Sequence, residues 1–162
     1  MALELTTSST LSFVAMTMLL LIYTVLDLRS RRIPNRVMMT GGLVGLIIVV
    51  FTGHLVDHAF LHLTACIFMV IVAYILFRVG AFGGADVKAV VTIAILSPGV
   101  EFGDWSQPIL EGIIASGLLL VAVLLVASVF SQYRRKQEKT SVTPLLPIML
   151  GAYLAIQLLA LA

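Results

Sequence analysis

The sequence predicts an all-α membrane protein, a six-transmembrane-helix bundle with both termini outside, and three observations carry that prediction. Hydrophobic residues make up 60% of the 162 and charged ones only 11%, whereas roughly a quarter of a soluble domain's residues are charged. Six apolar segments, at about 10–28, 37–53, 59–79, 84–99, 108–131 and 143–162, match or approach the ~20 residues that cross ~30 Å of hydrocarbon. If those spans alternate in direction, all ten Lys and Arg residues fall on one side.

Taken in order, the first ten residues contain no cation and carry Glu4. A cleavable secretory signal begins with a basic stretch, so Leu11 onward is expected to be a retained first span. Arg29, Arg31, Arg32 and Arg36 then separate spans 1 and 2. Arg78 and Lys88 flank the turn between spans 3 and 4, and Arg134, Arg135, Lys136 and Lys139 lie between spans 5 and 6. The other side carries Glu4, Asp57, Glu101, Asp104 and Glu111. Positive charge marks the cytosolic side, which points both termini outward. One extra or missing span would break that division.

The connections are short, as between antiparallel neighbours. Pro34, Pro98, Pro108 and Pro144 fall at expected helix ends, where proline does least harm. The length allows one bundle, 1–162, as a single domain. In span 2, Gly41-Gly42-Leu43-Val44-Gly45 holds a GxxxG pattern that predicts close packing, within the bundle or between chains. Tyr133 to Lys139 reads as a solvated loop. Span 4 is the odd one, since Asp86 to Ser97 makes only ~18 Å of helix. Either Gly83-Gly84-Ala85 extends it backwards, or the turn before Asp86 dips into the bilayer, shielded by protein. The dip is the expectation, with Gly80, Gly83 and Gly84 permitting unusual dihedrals there.

Several function classes are disfavoured. A net charge of +2 is too small for nucleic-acid binding. Cys66 is the one cysteine, which excludes an intramolecular disulfide and a cysteine-based zinc site; it is expected to be a small buried hydrophobe. His54, His58 and His62 recur at a spacing that suits a metal on one helix face. Gly53 interrupts that helix, so they are expected to be solvated or interfacial. No metal and no cofactor is expected.

Two of the eight acids stand apart. Asp27 ends the apolar stretch Leu19–Leu26, and Asp86 opens span 4, so both lie at the cytosolic edge. An ionisable group at such a depth is costly and marks function by default. The plain alternative is local pairing, Asp27 with Arg29 or Arg31 and Asp86 with Lys88. Two carboxylates brought within hydrogen-bonding distance would share one proton. The ionised member then takes a proton from water while the protonated one polarises a carbonyl. Asp86, near a helix N-terminus, is the better placed to stay ionised.

The segment Asp27-Leu28-Arg29-Ser30-Arg31-Arg32-Ile33-Pro34-Asn35 and the segment Gly83-Gly84-Ala85-Asp86-Val87-Lys88 resemble the two signatures of the prepilin and preflagellin peptidases. These are six-span membrane aspartyl proteases with a GxGD-type motif. The resemblance implies that Asp27 and Asp86 are the catalytic carboxylates. It also implies cytosolic cleavage between a short basic leader and the apolar helix of a pilin-like or archaellin precursor. Ala85 stands where the bacterial motif has its second glycine, so Gly-Gly-Ala-Asp is similar to archaeal members. About eight residues separate spans 1 and 2, with no room for the cysteine-bearing insert of the large bacterial enzymes. Methyltransferase activity is therefore not expected, and the small Tad-type peptidases share this compact layout.

Around the two acids, Ile33-Pro34-Asn35 is a turn that restarts a helix and orients Asp27. Lys88 is expected either to tune Asp86 or to reach lipid phosphate. The arginine run serves topology and lipid contact. Two other classes compete: a proton-coupled transporter or channel, and a non-enzymatic assembly subunit of a pilus or secretion machine. The first calls for deeper acids or paired broken helices in repeated halves, and no repeat is evident. The second leaves the paired signatures without a reason.

Overall fold

The computed structural model describes residues 7–30, 33–103, 105–136 and 144–160, without the side chains of 134–136. Glu4, Arg31, Arg32, Asp104 and Lys139, which entered the charge argument, lie outside the described residues, as do the side chains of Arg134, Arg135 and Lys136. Among the described residues seven helices follow one another: α1 Thr7–Ser30, α2 Asn35–Phe51, α3 His54–Asp57, α4 Ala59–Arg78, α5 Gly84–Leu96, α6 Pro108–Lys136 and α7 Leu145–Leu159. No strand occurs among the described residues.

Each long helix buries a narrow stripe and exposes the rest. In α1 the stripe is Ser12, Met16, Leu20 and Tyr23, while Met18, Ile22 and Val25 face outward. Leu61, Ala65, Met69 and Ala73 form the matching stripe of α4. Large apolar side chains on the outer faces would be a liability in water but are ordinary in lipid. Among the described residues three helices, α1, α4 and α6, are long and apolar enough to cross a membrane. The apolar α2 and α7 have 17 and 15 residues, about 26 and 22 Å of rise.

α5 is the hub, packed against α1, α2, α4 and α7. Ala89, Val90, Ile93, Ala94 and Leu96 are all buried, leaving it almost no outward face. Gly84 and Ala85 are helical, so the helix does extend backwards, to 13 residues. Gly83 is extended (φ −83°, ψ 166°), and among the described glycines only Gly53 and Gly80 have positive φ. The unusual dihedral expected before Asp86 is therefore confined to Gly80. There it closes α4: Ala81 N–H donates to Leu76 O and Gly80 N–H to Phe77 O, a Schellman cap.

One expectation needs correction, and another is made specific. α6 continues through Tyr133 to Lys136, so the expected 133–139 loop is helical for its first four residues. Cations suit a helix C-terminus, which favours winding on into Arg134, Arg135 and Lys136. The glycine pattern of α2 packs within the bundle. A Cβ on Gly41 would strike Tyr23 of α1, and one on Gly45 would strike Leu96 of α5. Helix α2 thus lies close against both helices that carry the two aspartates.

Candidate active site

One end of the bundle gathers the C-termini of α1 and α4 with the N-termini of α2 and α5. Asp27, in the last turn of α1, is half-buried. Asp86, the third residue of α5, is also half-buried, and its Oδ2 accepts the N–H of Gly83 at 2.8 Å. This bond uses one of the four N–H groups that a helix start leaves without an internal partner. It fixes the carboxylate back over the turn. The two aspartates lie within electrostatic reach of each other, although far apart in sequence.

The remaining signature residues surround them. Pro34 (φ −59°, ψ 134°) precedes α2, and its carbonyl accepts the N–H groups of Val37 and Met38. Proline therefore sets the entry to the helix from just outside it. Asn35, first in α2, accepts a hydrogen bond from Lys88 Nζ through its Oδ1. Lys88 was expected to tune Asp86 or to reach lipid; instead it ties α5 to α2. No ion pair joins it to Asp86 among the described residues. Local pairing therefore does not explain Asp86. Arg29 is exposed in the last turn of α1, where a cation complements the negative end of the helix dipole. Gly83 and Gly84 are exposed and Ala85 is half-buried.

A residue absent from the sequence reading completes the frame. Tyr23, one turn before Asp27, is fully buried, and its hydroxyl donates to Met38 O at 3.3 Å. The same hydroxyl meets Thr92 of α5, whose own Oγ1 donates to Lys88 O at 2.8 Å. α1, α2 and α5 are thus pinned together at one level beneath the acids. The sequence signal was the i, i+4 relation of Tyr23 to Asp27, which puts both on one helix face.

At the other end the histidines differ from expectation. His54 and His62 are buried, not solvated. His54 Nδ1 meets His62 Nε2 at 3.0 Å, and His54 Nε2 meets Glu101 Oε2 at 3.1 Å. Gly53 ends α2 and lets α3 fold His54 inward, so the three histidines do not share one helix face. The described residues hold no group of three His, Cys, Asp or Glu arranged for a metal. Cys66 is half-buried, its Sγ 3.4 Å from Ala94 O.

Fold and site together define a helical membrane protein with a pair of acids at one end of its bundle. The chain belongs to the type IV leader peptidase family, whose model matches residues 14–161. That membership makes it a protease of the leader-peptidase kind. No curated protein matches the chain, and neither does any solved structure.

Proposed function

We propose that the chain is an aspartic-type membrane endopeptidase that removes the short basic leader from type IV pilin-like or archaellin precursors. Asp27 and Asp86 are its catalytic pair. The observation that supports this is two half-buried acids at one bundle end, within electrostatic reach of each other, in a leader peptidase family member. The ionised carboxylate takes a proton from water, and the resulting oxygen attacks the scissile carbonyl, which the protonated carboxyl polarises. The tetrahedral intermediate then collapses, breaking C–N as the leaving amine gains a proton. The N-terminus of α5 and the Gly83 N–H favour a carboxylate at Asp86 while its partial burial opposes one, so either acid can take the ionised role. No cofactor enters this scheme.

In this reading 1–162 is one peptidase domain with six spans, in the plasma membrane, its acids at the cytosolic face and both termini outside. The described cations Arg29, Arg36, Arg78 and Lys88 sit at the aspartate end and the acids Asp57, Glu101 and Glu111 at the other, in keeping with that orientation. Ala85 before Asp86 favours the archaeal kind of substrate, with a Tad-type pilin as the other source. Lipid surrounds the exposed apolar faces.

Co-expression with a tagged precursor tests the proposal by a gel shift. Asp27→Asn and Asp86→Asn should each reduce processing by at least about a thousand-fold, while protein levels and thermal melting stay near those of the parent. Normal cutting by either variant would sink the paired-acid mechanism.

A further inference from the structure

Opposite the aspartates, α1, α3, α4 and α6, with residues 99–103 and Trp105, line an open-mouthed cavity of about 420 Å³. Cavities of roughly 300–1,000 Å³ accept small ligands. Its walls are rigidly made. Gln157 of α7 accepts Glu101 N–H through Oε1 and donates to Gly99 O through Nε2, both at 3.0 Å. Glu111 of α6 accepts Val100 N–H at 2.9 Å through its Oε1. A Cβ on Gly99 would collide with that same Glu111 carboxylate. The segment is thus held from two helices at once.

The chemistry of the lining is one-sided. Asp57, Glu101 and Glu111 line the cavity with His54 and His58, and its described lining residues include no Lys or Arg. Glu101 is the telling one. Its side chain is only 3% exposed, and while Oε2 meets His54, Oε1 has no hydrogen-bond partner among the described residues. A buried carboxylate oxygen left without a partner is costly, and a positive ligand relieves the cost. Phe60 and Trp105 stand in the same wall, both substantially exposed. Aromatic faces beside carboxylates recognise alkylammonium groups, through ring quadrupole and charge together. The volume exceeds what a bare ion needs, and the described donors are not arranged for a metal.

We propose that this cavity binds a small organic ammonium, its charge on Glu101 and its carbons against Phe60 and Trp105. The shared chemistry belongs to free amines and to ammonium lipid headgroups alike. The site is separate from the aspartate pair, because α5 runs the ~20 Å between them, and the proposal does not depend on the peptidase mechanism.

Trp105 is the one tryptophan of the chain, so intrinsic fluorescence reports on this wall. The full chain is placed in phosphatidylglycerol nanodiscs and titrated with ethanolamine and choline. Ethylene glycol and 3,3-dimethylbutan-1-ol serve as their uncharged counterparts. A saturable change in Trp105 emission is expected with the two ammonium compounds and not with the neutral pair. Glu101→Gln should weaken the response at least about ten-fold. Because that variant also removes a partner of His54, its thermal melt is recorded. Phe60→Leu, at an exposed position, gives a second reading and should weaken binding about three-fold. In phosphatidylethanolamine nanodiscs, an emission already shifted and insensitive to added ethanolamine identifies the lipid headgroup as the source. The proposal is overturned if neither free nor lipid-borne ammonium alters Trp105 emission. It is equally overturned if the neutral compounds match the charged ones, or if Phe60→Leu, or a folded Glu101→Gln, binds as tightly as the parent.

Discussion

At Gly83 a single missing methyl group controls a carboxylate. A Cβ built there would lie 3.1 Å from Asp86 Oδ2, closer than ordinary van der Waals contact, whereas one on Gly84 meets nothing within 4 Å. Neither glycine has a positive φ, so backbone freedom does not explain the first position; room for the Asp86 side chain does. Gly83→Ala is therefore expected to displace the carboxylate by a few tenths of an ångström and lower processing about ten-fold, since small misplacements of reacting groups are costly. Gly84→Ala fits without displacing Asp86 and removes a flexible residue from a helix start, contributing about 0.5 kcal/mol of stability. Its processing rate should fall less than that of Gly83→Ala. Parallel rate measurements and melting curves separate the two; an equal or larger loss in Gly84→Ala would refute the crowding account.

Among the helices, α2 sets the spacing of the pair it does not contribute to. Gly41 admits Tyr23 from α1 and Gly45 admits Leu96 from α5, while Asn35 holds Lys88 at the mouth of the site. The GxxxG pattern was legible in the sequence as close packing, but its partners were not. Choosing them needs the three-dimensional neighbours, and the pattern serves contacts within and between chains alike. The same limit applies to His54: its inward turn depends on Gly53 at φ 78° and on Glu101, 47 positions away. By contrast Asp27 and Asp86 stand out in the sequence as candidates because cost singles them out, each being an acid at the edge of an oily run. Gly45→Val tests the spacing role. The added branches should force α2 and α5 apart, destabilising by about 1–3 kcal/mol and lowering processing, while Gly42→Ala, with Thr92 Oγ1 at 3.6 Å, should leave both near parental values. A melt of Gly45→Val unchanged from the parent would show that α2 does not fix the gap.

For the whole molecule, sidedness decides whether the acids can meet a leader that has not yet crossed the membrane. The two ends differ in kind: one holds Asp27, Asp86 and the described cations, the other the buried histidines, Glu101 and Glu111. Helix α5 makes this arrangement workable although its 13 residues give only ~20 Å of rise. It is surrounded by longer helices, so its ends need not reach the bilayer surfaces and can stop at sheltered, polar pockets. Such a helix is poorly visible to a hydrophobicity count, which asks for length, so its place as a span rests on the charge count, which asks only which side each loop occupies. The orientation has a direct test. In a Cys66→Ala background, single cysteines at Arg29 and at Val56, both exposed, are offered a membrane-impermeant maleimide in intact cells and in opened ones. Arg29→Cys should label only after opening, and Val56→Cys in both, because the positive-inside rule puts the arginines in the cytosol. The reverse pattern would invert the protein and place the aspartates on the outer face. A leader would then have to be exported before it could be cut, and the proposed order of processing would fail with it.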